Sequence, residues 1–415
     1  MQARQVEIRL LGCFVCAVLS LALWVAVSSA SHQGQTNQQQ RPRKVDATPT
    51  TPTPSSTPPA NQQPTNSSTE EVGEGDVVRV ETQLVTVPAV VTDRNGRPVA
   101  GLRAENFVVL EDGKEQRVTN FATTEAPFEI ALLLDTSGST REELGLIRDA
   151  ANAFVNALRP GDRVGIVAFN NVSRNGSPLA TVDVLSGLES DRKVLRAAIE
   201  NLGTSNGTPF YDGLGRVADQ VFRDPPSKEM RGRRAVVALT DGVDSTSDSG
   251  YDDARAKLLR AGVACYFIQV STEDYVEDRL LKDCQDDGQL TLSAKQLERF
   301  RRLFVPQAQK EDYQDFCHMG QFERMDISRQ LYNLARKEMA EMARASGGKT
   351  FAATNQQEAQ AAFAQVANEI GTQYSLGYYP SNKTRDGRFR QIKVEMSGVK
   401  DASVRAREGY FAPQR

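Results

Sequence analysis
The segment EIALLLDTSGST, residues 129–140, is an apolar run that ends in an aspartate and then hydroxyls at alternate positions: Asp135, Ser137 and Ser139. Alternation along an extended turn lets the three oxygen-bearing side chains face one way, and Gly138 between them lets the backbone bend tightly. Two other segments carry matching groups. SNGTPFYDG presents Thr208 ahead of a helical pattern, and ALTDGVDS presents Asp241 straight after a strand pattern. Two carboxylates and three hydroxyls, with little side-chain nitrogen or sulfur, suit a hard cation: Mg²⁺ first, Mn²⁺ or Ca²⁺ as substitutes. A set with no Glu and few charges leaves the ion under-neutralised, so it seeks one more anionic oxygen. Each piece alone has a plainer explanation, since Ser139 or Thr140 could cap a helix at Arg141 and Asp241 could make an Asx turn. All three in order, each at a strand end, favour metal.

Such a site needs strands that deliver the loops to one edge, because in open parallel sheets the ligand lies off the carboxyl ends of the strands. Between residues 127 and 372 strand and helix patterns alternate, the mark of a doubly wound α/β domain with a mostly parallel six-stranded sheet. EIALLLD is its first strand, followed among others by DRVGIVAFN, RAVVALTD and VACYFIQV; REELGLIRDAANAFVNAL and SRQLYNLARKEMAEMARAS read as helices. On either side the texture is antiparallel β. Residues 76–126 hold period-2 runs with turn signals at Asn95-Gly96 and Asp112-Gly113, and residues 373–415 hold QYSLGYYP, FRQIKVEM and SVRAREGYF. Neither flank has enough strands to close a sandwich alone. The expectation is therefore one β-sandwich built from both flanks and interrupted by the α/β domain, with two independent small β units as the alternative.

IALLLDTSGS, GTPFYDGL and VVALTDGVDS together resemble the von Willebrand factor A family, whose metal-ion-dependent adhesion site reads DxSxS, then Thr, then Asp. The resemblance covers roughly residues 127–372, and the flanks look like the exported bacterial subfamily called VWFA-related, acidobacterial type. It implies that Ser137, Ser139 and Thr208 touch the ion through hydroxyls, that Asp135 and Asp241 act largely through bound water, and that an Asp or Glu of a protein partner completes the octahedron. An extracytoplasmic adhesion or assembly module follows from it.

The chain departs from that pattern over residues 271–325, an insertion too long for a bare loop in a compact domain. It leaves the carboxyl end of a strand, so it emerges on the metal's edge. It either borders the binding face and helps to choose the partner, or is a peripheral excursion. MRGRR, residues 230–234, reads as a solvated charge run.

Residues 1–30 place Arg4 and Arg9 before a long apolar stretch that ends in small residues, which reads as a signal peptide or retained membrane anchor. Residues 31–75, rich in Gln, Pro, Thr and Ser, read as a disordered stalk. The expected location is periplasmic, cell-surface or secreted, with membrane contact only through that anchor. Of five cysteines, Cys13 and Cys16 belong to the leader. Cys265 reads as a small buried hydrophobe, and Cys284 with Cys317 is the one disulfide to propose in an oxidising compartment. A net charge of −3 over 415 residues gives no reason to expect nucleic acid. Only two histidines exist, His32 and His318, which argues against an imidazole-based triad or a zinc site. A metal-dependent hydrolase and a metal-stabilised scaffold remain as competing classes.

Overall fold
A computed structural model of the chain describes residues 84–123, 127–138, 144–226, 233–286 and 289–414. The leader, the stalk, and Ser139, Thr140 and Arg141 lie outside the described residues. In chain order the regular elements are β1 (Val85–Asp93), β2 (Phe107–Glu111), β3 (Lys114–Gln116), β4 (Val118–Ala122), β5 (Glu129–Leu134), α1 (Leu144–Ala157), β6 (Arg163–Arg174) and β7 (Ser177–Glu189). Then come α2 (Arg192–Glu200), α3 (Phe210–Arg216), β8 (Arg234–Thr240), α4 (Tyr251–Arg260), β9 (Val263–Val270), α5 (Glu273–Leu280), α6 (Ala294–Phe304) and α7 (Gln321–Ser346). The chain ends with β10 (Lys349–Ala353), α8 (Gln356–Gly371), β11 (Tyr374–Tyr378), β12 (Phe389–Met396), β13 (Ala402–Ala406) and β14 (Gly409–Phe411).

Six strands form the central sheet in the order β10-β9-β8-β5-β6-β7. All neighbours are parallel except β7, which folds back on β6. β5 lies in the interior of this sheet and every one of its residues is buried. The strand period of 2 divides its side chains between two cores. Ile130, Leu132 and Leu134 pack with Phe154 of α1, Leu195 of α2 and Phe363 of α8. Ala131 and Leu133 pack with Leu214 of α3, Leu258 of α4 and Met339 of α7. Burial on both faces is why the strand reads as an unbroken apolar run.

The flanks assemble two four-stranded sheets, β13-β1-β11-β4 and β14-β12-β2-β3, each drawing two strands from either end of the chain. Val87, Val109, Leu376 and Ile392 meet in their common core. This is a β-sandwich into which the α/β domain is inserted. Two details differ from the sequence reading. The Asn95-Gly96 turn closes a single bridge, Thr92 with Pro98, because proline has no N–H to extend a ladder, and β1 instead pairs with β11 and β13. SVRAREGYF is two strands, β13 and β14, one in each sheet.

Arg233 and Arg234 correct the expectation of a solvated run; residues 230–232 lie outside the described residues. Arg233 is buried, its guanidinium 4.4 Å from the centre of the Phe128 ring, and donates to the carbonyls of Ile370 and Gln373. Burial pushes its pKa down to about 10. Arg234 pairs at 2.8 Å with buried Glu129, which also meets Arg163 at 3.1 Å. A guanidinium fork can satisfy several distant acceptors at once, which makes it tolerable inside.

The insertion has structure of its own. Leu280, Leu297, Phe300 and Phe316 pack on Ile327 and Leu331. α7 begins at Gln321, ahead of the helix read from Ser328 and within the stretch assigned to the insertion. Buried Arg324 holds this first turn by donating to the carbonyls of Met319 and Cys317. Cys284 and Cys317 form a disulfide that closes a loop across 33 positions. Replacing both by serine is expected to cost roughly 2–4 kcal/mol. Chemical denaturation measures that loss, and hydrogen exchange should place it in residues 273–331. Among the described residues no helix is long and apolar enough to cross a membrane.

Candidate metal centre
β5 and β8 are neighbours in the sheet and end level with one another, with Leu134 opposite Leu239, so Asp135 and Asp241 leave the same edge. Each aspartate is held at both oxygens. Asp135 accepts from the Ser137 N–H at 3.0 Å and from the Thr240 hydroxyl at 2.6 Å. Asp241 accepts from the Val243 N–H at 3.0 Å and from the Thr272 hydroxyl at 2.6 Å, and that hydroxyl lies 2.8 Å from the Tyr332 hydroxyl. The Asx turn considered for Asp241 is therefore present, and it uses only one oxygen.

The loop carrying Thr208 is stitched to the loop carrying Asp241. The Thr208 N–H donates to the Ser245 hydroxyl at 2.7 Å, and the Ser245 N–H donates to the Thr208 carbonyl at 2.9 Å. The Asp244 carboxylate receives the Phe210 N–H at 2.9 Å, at the start of α3. Thr136 ties the first loop down, its hydroxyl donating to the Phe169 carbonyl at 2.6 Å. Ser137, Thr208 and Asp241 line one cavity of about 120 Å³. Asp135 lies beside it, buried and bonded to Ser137. Ser139 is not among the described residues, so four of the five expected positions are brought together here.

Electrostatics favour a cation in this place. Burial, and then the charge of Asp241, raise the Asp135 carboxyl from 3.8 to about 7. Burial raises Asp244 to about 6. Two ionised carboxylates in a dry site repel one another, and a divalent ion between hydroxyl oxygens would relieve both. Among the described residues no three of His, Cys, Asp and Glu gather as a metal cluster, so an ion held here would need hydroxyl oxygens as well as carboxylates. Hard oxygen donors fit Mg²⁺, Mn²⁺ or Ca²⁺ and do not fit zinc.

Glycine is required after Asp241. Gly242 has φ +76°, and a Cβ there would stand 2.3 Å from Cε of Met339. Gly242→Ala is expected to cost about 1–2 kcal/mol from the left-handed backbone, as urea denaturation should show, with Met339 displaced.

The insertion stands against the same loops. Ser293 donates to the Ser245 carbonyl at 2.6 Å, and Lys295 donates to the carbonyls of Thr246 and Ser247 at 2.9 Å. Val276, Leu280 and Leu292 line the cavity that Ser137 and Thr208 open onto. Thr272, Tyr332 and Ser245 were not singled out from sequence. Thr272 follows β9 by two residues at the carboxyl edge of the sheet, the same placement that marks Asp241.

A loop cluster at the carboxyl edge of a doubly wound, mostly parallel sheet defines an open-sheet α/β domain. Residues 130–243 match the model of the von Willebrand factor type A domain. No curated protein matches the chain by sequence. Among solved structures it is similar to the conserved hypothetical protein BatB from Bacteroides thetaiotaomicron, at 15% identity and TM-score 0.35, over 59% of this chain and 98% of that one. A von Willebrand factor type A protein from Catenulispora acidiphila is similar at 12% identity and TM-score 0.35, over 81% and 75%. The pilus adhesin SpaC from Lactobacillus rhamnosus GG is similar at 10% identity and TM-score 0.35, over 78% and 48%.

Proposed function
We propose that the chain is an extracytoplasmic binding module that captures an acidic side chain of a protein partner through a divalent cation. The observation that carries this reading is the pair of buried carboxylates, Asp135 and Asp241, held beside a hydroxyl-lined cavity with Asp135 raised by burial and then by the charge of Asp241. Ser137, Ser139 and Thr208 would hold Mg²⁺, with Mn²⁺ or Ca²⁺ as substitutes, and Asp135 and Asp241 would act largely through water. The bound ion would supply a positive centre for the partner's Asp or Glu. The protein's own part is to hold five oxygens in place. The disulfide supports an oxidising location.

A scaffold reading is favoured by one fact: both aspartates already make the hydrogen bonds that a purely structural turn would need. A hydrolase reading finds no support in an imidazole among the described residues, where His318 is exposed in the insertion and faces Asp315 at 2.9 Å. The discriminating experiment is capture of partners from the exported fraction in Mg²⁺ or in chelator, with Asp241→Ala as control. A partner released by chelator and lost in the variant supports adhesion. A folded variant that keeps its partner supports the scaffold.

A further inference from the structure
The cavity at the candidate centre has two unlike kinds of lining. Its oxygens come from Ser137, Thr208 and Asp241 of the domain's own loops. A second group of lining residues, Leu280, Leu290 and Leu292 of the insertion with Leu331 of α7, brings hydrocarbon. Also lining it is Ser328, 1% exposed, whose Oγ has no hydrogen-bond partner among the described residues. A buried hydroxyl left unmatched costs about 1–3 kcal/mol, so its place on a cavity wall points to a ligand group that would meet it. At about 120 Å³ the space is well below the several hundred Å³ typical of small-molecule pockets, and suits one side chain.

We propose that the insertion makes this a glutamate pocket: a partner's Glu enters with its carboxylate at the cation, its methylenes against the leucine wall, and a polar atom of the same segment bonded to Ser328. This rests on the cation reading above and adds to it the choice of acid. Charge selects a carboxylate, and the hydrocarbon wall selects the longer one. Aspartate would leave one methylene's worth of that wall uncovered. The residues that choose the partner thus lie outside the part of the chain that matches the family model, residues 130–243.

The test uses the full chain with Mg²⁺ and three capped pentapeptides, each a Glu, Asp or Gln flanked by pairs of glycines. Methyl chemical shifts of Leu280 and Leu292 report binding. The Glu peptide should bind about fourfold more tightly than the Asp peptide, the worth of one buried methylene, and the Gln peptide should not bind. Leu292→Ser should abolish the preference. Ser328→Ala should weaken the Glu peptide about fivefold while leaving Mg²⁺ affinity unchanged, which a folding defect would not do. Equal binding of Glu and Asp with no effect of Ser328→Ala overturns the glutamate pocket and leaves the cation reading standing. Mg²⁺ binding with no response to either acid peptide overturns the pocket as well. Absence of Mg²⁺ binding, or equal binding of the Gln peptide, removes the cation reading itself.

Discussion

Asp135→Asn is expected to stabilise the cation-free protein and to abolish its response to Mg²⁺. In the folded chain burial and Asp241 hold the Asp135 carboxyl near 7, whereas in the unfolded chain it titrates near 3.8. Between those values the folded state keeps a proton that the unfolded state has lost, so stability falls as pH rises from about 4 to about 7. Below that window both states are protonated and nothing is lost. Above it both are ionised and the full cost, about 4 kcal/mol, is present. Asparagine removes the charge but turns an amide toward a site where Thr240 now donates, which returns about 1 kcal/mol. The net gain at pH 8 in chelator should be about 3 kcal/mol, with a flatter pH profile. Urea denaturation across pH, with and without Mg²⁺, checks both halves. The wild type should gain from Mg²⁺ most at high pH, and the variant should gain nothing at any pH.

Arg299→Met should destabilise the chain by about 4 kcal/mol and weaken Mg²⁺ binding as a secondary effect. Arg299 of α6 makes a two-pronged pair with Glu338 of α7 at 2.7 Å and donates at 2.7 Å to the Tyr211 hydroxyl, which itself donates to Glu338 at 2.5 Å. Both charged side chains are largely buried, so removing one leaves the other uncompensated in a poorly solvated place. Tyr211 lies three residues beyond Thr208, so the brace connects the insertion to α3, the helix that follows the Thr208 loop. The double variant Arg299→Met with Glu338→Leu should recover most of the loss, because a matched apolar pair avoids the stranded charge. Denaturation of the two single variants and the double variant gives the coupling directly. If the double variant is no more stable than Arg299→Met alone, the ion pair is not the source of the loss.

What sequence reasoning reached follows from how local each signal was. β5 could be read because a strand buried on both faces must be apolar throughout, and its abrupt end in Asp135 marks the sheet's edge. The sandwich could be read because the two flanks share a texture that neither could satisfy alone. Arg233 and Arg234 could not, since Glu129 lies 105 positions from Arg234 and the carbonyl acceptors of Arg233 come later still. The start of α7 was obscured because its cap is Gly320, with no side-chain oxygen to announce it. Asp135, Ser137 and Asp241 were legible as loop residues at strand ends, whereas the expectation of a strand end for Thr208 is corrected: its loop joins α2 to α3. Thr272 satisfies the same rule and was hidden only by the helix that follows it. Ser328 carries no local mark at all: inside a long helix, it becomes notable only when the cavity beside it is seen.

The central claim is that one divalent cation sits among hydroxyls and two aspartates at the carboxyl edge of the sheet. Calorimetric titration of Mg²⁺ into the chelator-stripped chain, alongside Asp241→Ala, tests it most directly. The expected result is a single binding event in the wild type that vanishes in the variant, while the variant still unfolds cooperatively. Absence of Mg²⁺ binding to the wild type, or equal binding to the folded variant, contradicts it.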